Sequence, residues 1–258
     1  MVLPMIDVLR HRDLVVYLVL RDLKVRYRRS SIGFAWTMLQ PLLMMLVLQI
    51  VFANIFRFEI DNYAVYALSG ILFWNSFSQS IVTSMNSLRA NAGLVTKLPV
   101  PKAVFPLATV IAGFVNLGFA LVPLFLILLF TGHPIRPALL FLPVAILIAW
   151  TFTLGAGLVL SPLAAFFTDV VELVNVLLVL AMYLTPVFYP MDIIPDRLQW
   201  VVRFNPLRSI LEVFRDPIYY GKIPPISHLS VAVGIAVAAL AIGIWTFRRS
   251  SDRIAFYV

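Results

Sequence analysis

Six long stretches of the sequence contain no charged side chain, and they constrain the fold more than any other feature. They are Ser30–Phe56, Asn62–Leu88, Ala103–Ile135, Pro137–Thr168, Leu173–Met191 and Ile223–Phe247. A helix that crosses the hydrocarbon core of a membrane needs roughly 20 mostly apolar residues, and each stretch can hold one. Segments of about ten residues with alternating polarity, which are typical of outer-membrane barrels, do not occur. The sequence therefore predicts an all-α membrane protein.

The composition agrees with a chain that is covered by lipid. Hydrophobic residues make up 62% of it and charged residues 12%, whereas a soluble domain is about half apolar and a quarter charged. We expect six transmembrane helices within a single domain that covers residues 1–258. The expected spans are 33–56, 64–86, 104–131, 138–163, 171–189 and 226–247.

The basic residues predict the orientation of these spans. Arginine and lysine are concentrated before the first span, in the loop after the second span and after the last span. The first loop has only Arg57 beside Glu59 and Asp61, and the third connection has only Arg136. Because loops on the cytoplasmic side carry the excess of Arg and Lys, both termini are expected to be cytoplasmic. The same rule accounts for the net charge of +8 without nucleic acid as a partner.

Two segments outside the spans have patterns of their own. In residues 8–30, Val16, Leu20, Leu23 and Tyr27 recur along one helical face, which predicts an amphipathic helix in the membrane interface. Residues 190–225 are rich in proline and contain apolar runs too short to cross a bilayer. We expect short re-entrant helices there, because irregular backbone at membrane depth must be covered by protein or must line a watery cavity.

The sequence contains no pattern of catalytic or cofactor-binding residues. It lacks a GxxxxGK[ST] phosphate-binding loop, a GxSxG elbow and any cysteine, and its three histidines are far apart. No catalytic, metal or cofactor site is therefore expected, and the chain is not expected to be an enzyme. The spans also lack the buried acidic groups of ion-driven carriers. Energy must then come from a partner that hydrolyses nucleotide.

Several aromatic residues of the spans are candidates for lining a conduit. The six are Trp36, Phe73, Trp74, Tyr183, Phe188 and Tyr189. Flat rings can pack against the apolar faces of sugars without holding them as charges would. The alternative is an aromatic belt at the two membrane interfaces, together with ordinary helix packing.

Short motifs along the whole chain resemble those of ABC-2-type permeases, and most of all the branch that exports polysaccharides. The matching segments are Arg21–Arg28, Ile32–Trp36, Gln40–Leu43, Asn91–Lys97 with Pro101, Phe166–Val170, Leu184–Pro190 and Asn205–Leu207. They occur in the order and at the spacing of the family. One departure is Thr168, where the family usually has arginine.

The resemblance implies partners and sites that composition does not. It implies a homodimer in which each copy is paired with a separate ATPase subunit, which binds the ATP and Mg. It places the main coupling helix in the loop Ser87–Lys102 and a second contact in the turn Phe166–Glu172. The candidate coupling residues are Arg89, Leu94, Lys97, Leu98 and Asp169. The residues alone favour an ordinary positive-inside loop, and it is the resemblance that favours the coupling role.

Basic residues near the N-terminus are candidates for binding phosphate. They are Arg21, Lys24, Arg26, Arg28 and Arg29. Arginine binds phosphate oxygens in a bidentate manner, which suits the pyrophosphate of a lipid-linked glycan. The alternative is attraction to the headgroups of anionic membrane lipids.

The function that the resemblance implies is export of a lipid-linked polysaccharide across the bacterial inner membrane. The tail Asp252–Val258 lacks the acidic ending of the teichoic-acid relatives, which favours O-antigen as the polymer. One alternative is an ABC-2 permease that exports a drug, a lipid or teichoic acid. The other is a membrane-embedded enzyme that modifies lipids, with residues 190–225 as its candidate site.

Overall fold

The computed structural model describes residues 10–27, 32–51, 60–97, 99–254 and 256–257. Throughout these ranges the chain forms helices and turns and no β-strand, so the all-α prediction is confirmed there. The helices are α1 (Arg12–Tyr27), α2 (Trp36–Gln49), α3 (Tyr63–Ala90), α4 (Ala92–Lys97), α5 (Val104–Phe130), α6 (Leu142–Phe166), α7 (Asp169–Leu184), α8 (Asp196–Arg203), α9 (Pro206–Arg215) and α10 (Ile226–Ile254).

Shorter helical turns precede or follow several of these helices. The 3-10 turns are Gly33–Ala35, Pro137–Phe141 and Met191–Ile193, and a π-helical turn, Asp216–Tyr220, follows α9. Within the described ranges, three helices are long and apolar enough to cross a membrane: α5, α6 with the turn before it, and α10. Helix α2 is apolar but shorter, and residues 52–56 of the predicted first span lie outside the described residues.

The fifth predicted span is shorter than the sequence suggested. Helix α7 ends at Leu184, five residues before the predicted boundary, and the chain turns through Thr185 and Pro186. Proline disfavours helical backbone at the residue before it, which accounts for the end of the helix at this point. The Thr185 hydroxyl donates to the Ala181 carbonyl over 2.7 Å. This bond provides a hydrogen-bond donor for a carbonyl in the last turn of the helix.

Helix α1 packs through a face other than the predicted apolar stripe. Val15, Leu18 and Val19 are buried in the core that this helix shares with α5. Val16 and Leu20, which belong to the predicted stripe, are about half exposed. Helix α1 therefore has two apolar faces: one covers the protein, and the other remains open.

Helix α3 lies at the centre of the bundle and packs through small residues. Ser76, Ser80 and Ser84 follow one another at intervals of four residues and are buried. Ser80 faces Gly113 of α5, and a Cβ built on Gly157 of α6 would lie 2.6 Å from the Ser84 hydroxyl. Glycine and serine at such contacts allow membrane helices to approach closely.

The segment between α7 and α10 is folded onto the end of the bundle where α3 begins. Pro206 starts α9, and the Asn205 side chain caps it by accepting from the Leu207 amide over 3.0 Å. The apolar side chains of α9, among them Ile210 and Phe214, are buried in the main core. Gly221, with φ of 59°, ends the π-helical turn and redirects the chain toward α10.

Candidate functional site

A polar groove runs along α3 between α1, α2 and α5. It comprises three adjoining cavities of about 290, 430 and 320 Å³, and Gln79 lines all three. Asn116 of α5 lines two of them, as do Gln40 of α2 and Asn75 of α3. Gln79 lies eleven residues from the end of α3 at Ala90, which corresponds to roughly 16 Å along the helix axis. The groove therefore reaches deep into the bundle.

Several polar groups in the groove have no hydrogen-bond partner among the residues that the structure describes. The side-chain amides of Gln40, Asn75 and Gln79 make no hydrogen bond to another residue in the described ranges. The hydroxyls of Ser76 and Ser80, which also line the cavities, are buried and likewise without a partner among these residues. A polar group that faces hydrocarbon without a hydrogen bond is costly. The surroundings of this groove must therefore supply water or another polar ligand.

One ion pair stands at the α1 end of the groove. The Arg21 guanidinium lies 2.8 Å from the Asp22 carboxylate and donates to the side-chain oxygen of Asn91 over 2.7 Å. Arg21 and Asp22 are the only ionisable residues among the described groove-lining residues. The interior of the groove is thus polar but uncharged.

The other predicted phosphate-binding residues are only partly described. Lys24 is exposed on α1 and is available to an anion. Arg26 belongs to α1, but its side chain is not among the described parts of the structure. Arg28 and Arg29 lie outside the described residues altogether. Of Arg21 and Lys24, the two whose side chains the structure describes, Arg21 already has partners within the bundle, so its guanidinium would meet a phosphate as part of an ion pair.

The predicted channel aromatics occupy different environments. Trp36 is 43% exposed and lines the groove, and Tyr183 is exposed on α7. Tyr189 is half-buried, and its hydroxyl donates to the Tyr183 carbonyl. The remaining three, Phe73, Trp74 and Phe188, are buried within the core of the protomer. The structure brings Trp36 alone of the six to the groove, and a channel-lining role for the set stays a prediction.

The described members of the predicted coupling set, Arg89, Leu94, Lys97 and Asp169, lie at the end of the bundle opposite α9. Arg89 donates to the Ala165 carbonyl over 3.2 Å, which joins the end of α3 to the end of α6. Helix α4 carries Leu94, which is half-buried, and Lys97, which is exposed. Asp169 begins α7 and is exposed. Leu98 lies outside the described residues.

The same end of the bundle is tied to the last helix. The Lys102 ammonium donates to the Ser251 carbonyl over 2.7 Å. The Arg253 guanidinium lies over the Phe166 ring at 5.6 Å from its centroid. Together with the Arg89 contact, these bonds connect the α3–α4 corner, the α6–α7 turn and the end of α10. Whether this unit transmits force to a partner stays a prediction.

Arg215, which the sequence interpretation did not single out, joins α9 to the rest of the bundle. Its guanidinium is buried, donates to the carbonyls of Pro186 and Val187 over 2.8 and 2.7 Å, and lies 3.9 Å from the centroid of the Tyr66 ring. It also donates to the Ser69 hydroxyl over 3.3 Å. A single side chain thus links α9, the turn after α7, and α3.

The sequence interpretation also missed the carboxamides of the groove, although the sequence contains a signal for them and for Arg215. Gln40, Asn75, Gln79 and Asn116 are carboxamides within charge-free windows, where polar side chains are costly unless they have a partner or a function. Arg215 follows the apolar run Ser209–Phe214 directly. That context favours burial of the arginine, although the sequence does not reveal its carbonyl partners.

The chain matches proteins of one transporter family over most of its length. The family described as ABC-2 type transporter matches residues 13–219. An O-antigen export system permease protein of Klebsiella pneumoniae is 29% identical over 246 residues, which is 94% of each chain. The protein of the same name from Myxococcus xanthus is 32% identical over 238 residues, or 91% of each.

A third relative comes from capsule export. It is a capsule polysaccharide export inner-membrane protein of Neisseria meningitidis serogroup B, 27% identical over 220 residues, which is 82% of this chain and 80% of the relative. The family match covers far more than half of the chain and includes α1 to α9. This protein therefore belongs to the ABC-2 type transporter family, as an inner-membrane permease subunit and not an enzyme.

Proposed function

We propose that this protein exports a lipid-linked polysaccharide, of the O-antigen class, across the bacterial inner membrane. The observation that carries the proposal is the similarity to two O-antigen export permeases, each at 29–32% identity and across more than nine-tenths of the chain. The described lining of the groove contains no ionisable group beyond Arg21 and Asp22, which supports transport that draws no energy from an ion gradient.

The energy source in this proposal is a separate ATPase subunit. Two copies of it would bind ATP and Mg, and this chain would hold no cofactor of its own. The contact surface would be the α4 helix with Arg89, Leu94, Lys97 and Leu98, and the start of α7 at Asp169. The hydrogen bond from Arg89 to the Ala165 carbonyl supports a single rigid surface, because it joins the two predicted contacts.

We further propose six spans in a single domain, with both termini on the cytoplasmic side. The spans would be α2, α3, α5, α6, α7 and α10, and α8 and α9 would form the re-entrant segment at the outer face. The basic residues at the α4 end of the bundle support this orientation. Helix α1 would then lie at the cytoplasmic interface, where Lys24, Arg26, Arg28, Arg29 and the Arg21–Asp22 pair meet the diphosphate of the lipid-linked substrate.

The functional unit would be a homodimer. Helix α7 has one buried residue, Val174, and exposes a continuous apolar face. The large side chains of that face are Leu173, Val176, Leu177, Val179, Leu180 and Leu184. An apolar face of this kind suits a second copy of the chain, and two copies would enclose a wider conduit than one.

The proposal is tested by purification from native membranes, followed by reconstitution with and without the co-purifying ATPase. We expect the complex to contain two copies of each subunit and a lipid-linked glycan, and to translocate the glycan only when ATP is present. The permease alone should move nothing against a gradient. Sustained transport without the ATPase, or a co-purifying drug or simple lipid in place of a glycan, would contradict the proposal.

A further inference from the structure

The groove along α3 has the chemistry of a ligand site that nothing above assigns. Its wall presents the carboxamides of Gln40, Asn75 and Gln79, none of which has a protein partner in the described ranges. Ser76 and Ser80 also line it, and their hydroxyls are buried behind this wall without a partner among the described residues. Each of the three cavities has a volume near that of common small-molecule sites, about 300 Å³ or more.

The ligand must offer both donors and acceptors. A carboxamide has two donor hydrogens and an acceptor oxygen, and a serine hydroxyl can play either role. A sugar hydroxyl likewise donates one hydrogen bond and accepts others. Exchange of water for such hydroxyls would leave the number of hydrogen bonds nearly unchanged, so the sugar could enter and leave at little net cost.

An aromatic ring stands at the same wall. Trp36 is 43% exposed and lines the cavity that Gln40, Asn75 and Gln79 also line. An indole ring offers a large apolar face with one polar edge. The combination of one ring and several amides matches a sugar, which has an apolar face of C–H groups and a rim of hydroxyls.

The described lining of the groove interior is uncharged, and this indicates whether the ligand itself carries a charge. Arg21 and Asp22 at the α1 end pair with each other at 2.8 Å, and the remaining groove-lining residues within the described ranges carry no charge. A carboxylate or ammonium that entered would lose hydration and find no counter-charge, and the desolvation penalty for such an unpaired ion is large. An uncharged sugar unit incurs no such penalty.

We infer that the groove along α3 binds the uncharged sugar units of the exported polymer, and so selects neutral over acidic glycans. The inference rests on the proposed function, because it assigns a substrate class to the same permease. According to this inference, the polymer and water molecules occupy the groove. The alternative occupant is a second copy of the chain, whose amides would bond across the interface.

The test measures ATPase stimulation of the complete permease–ATPase complex in vesicles by two synthetic probes. Both are polyprenyl-diphosphate-linked oligosaccharides of equal length; one contains only neutral hexoses, and the other has one carboxylate-bearing sugar in each repeat. We expect the neutral probe to stimulate at a concentration at least about tenfold lower than the acidic one does, a difference of about 1.4 kcal/mol.

Three variants separate the explanations. Gln79→Leu should weaken stimulation by the neutral probe about tenfold, and Gln79→Lys should shift the preference toward the acidic probe. The matched control is Asn86→Leu, on the same helix but outside the groove, where the amide bonds to the Val82 carbonyl over 2.9 Å; it should behave as the wild type does.

The outcomes distinguish this inference from the function on which it rests. Equal stimulation by both probes, unchanged in Gln79→Leu and Gln79→Lys, would overturn the groove assignment and leave polysaccharide export intact. A Gln79→Leu variant that loses its dimer in native mass measurement, with an unchanged preference between probes, would assign the groove to the second copy. Stimulation by neither probe, in a complex that responds to a drug or a simple lipid, would overturn both.

Discussion

Helices α3 and α7 each consist mostly of residues from a charge-free window, yet they meet their surroundings in opposite ways. Helix α3 has 28 residues, is buried along most of its length, and opens toward a groove through amides such as Asn75 and Gln79. Helix α7 has 16 residues, buries Val174 alone, and exposes leucine, valine and tyrosine. The average apolar character of a window therefore does not reveal which side of a helix meets lipid.

The difference restricts what can cover each helix. Lipid tails or the apolar face of another protein can cover α7, since neither leaves a polar group unsatisfied. The amide face of α3 requires hydrogen bonds, so water, a polar ligand or polar groups of another chain must cover it. A transporter needs both kinds of surface, one for assembly and one for passage. The following predictions test that division.

The largest expected effect concerns how α3 is held. Gly157→Leu places a side chain where even a Cβ would approach the Ser84 hydroxyl to 2.6 Å, and overpacking of a core costs about 1–3 kcal/mol and occasionally more. We expect loss of the monodisperse peak in detergent and a thermal transition lowered by many degrees. Leu177→Ala on exposed α7 is the control and should melt within a few degrees of the wild type. Similar melting of the two variants would show that α3 does not depend on this close contact.

Water access gives the next largest effect. The chain has no cysteine, so Gln79→Cys and Leu177→Cys each provide a single thiol. A charged, water-soluble thiol reagent reacts with the thiolate and therefore needs a wet site. We expect labelling at Gln79→Cys to be at least about tenfold faster than at Leu177→Cys in native membranes, because a dry site suppresses the thiolate. Equal rates at the two positions would remove the distinction between a wet groove and a dry apolar face.

A smaller effect is expected when the contacts of Arg215, which join the turn after α7 to α3, are removed. Arg215 donates to the Pro186 and Val187 carbonyls after α7 and packs on Tyr66 of α3. Arg215→Met would leave these buried carbonyls without a partner, at about 1–3 kcal/mol for each, partly offset because a buried charge is removed. We expect a thermal transition lower by several degrees and faster proteolysis between α7 and α9.

The control for this joint lies on the same helix. Arg208 pairs with Glu212 at 2.6 Å, one turn along α9, with both side chains partly exposed. Arg208→Met should change stability by less than about 1 kcal/mol, as is usual for such pairs. Equal effects of the two substitutions would mean that Arg215 is an ordinary surface cation and not the joint between α7 and α3.

The sequence predicted the helices better than it predicted their surfaces. Charge-free windows and prolines located α5 and α10 to within a residue at their first ends, because length and hydropathy decide whether a segment can cross a membrane. On α1, Val16 and Leu20 of the stripe that was predicted to face the membrane are exposed, but the residues that pack on the protein, Val15, Leu18 and Val19, are apolar too and were not predicted to do so. When apolar residues occur on several sides of a helix, periodicity alone does not select one.

The candidate site was less predictable for a similar reason. Trp36 was identified as a candidate, but Phe73 and Trp74 have the same residue types and lie in the core. Only tertiary contacts, such as that of the Phe73 ring with Phe214, separate an aromatic residue of the core from one that faces a groove. The amide of Gln79 was a more specific signal than any ring, because a polar group in a span requires a partner.

The smallest effect concerns Asp216, beside the same joint and outside the spans. Burial raises the pKa of this carboxyl above its ordinary value of 3.8, and Glu212 raises it further, whereas Lys222, His228 and Arg215 oppose the shift. The folded state then binds the proton more tightly than the unfolded state does. The contribution of this carboxyl to the free energy of unfolding is therefore greatest below its ordinary pKa, and it is lost as the pH rises through the raised pKa.

Asp216→Asn should remove this part of the pH dependence. We expect the difference between the thermal transitions at about pH 4 and about pH 7 to narrow, since the variant has no carboxyl to titrate at this site. Asp196→Asn, on exposed α8, should leave the difference as it is in the wild type. If the thermal transition of the wild type instead rises between these two pH values, then the attraction of Lys222, 4.0 Å from the Asp216 carboxylate, outweighs the effect of burial. Asp216 would then stabilise the link between the π-helical turn and the segment before α10 as an ion pair.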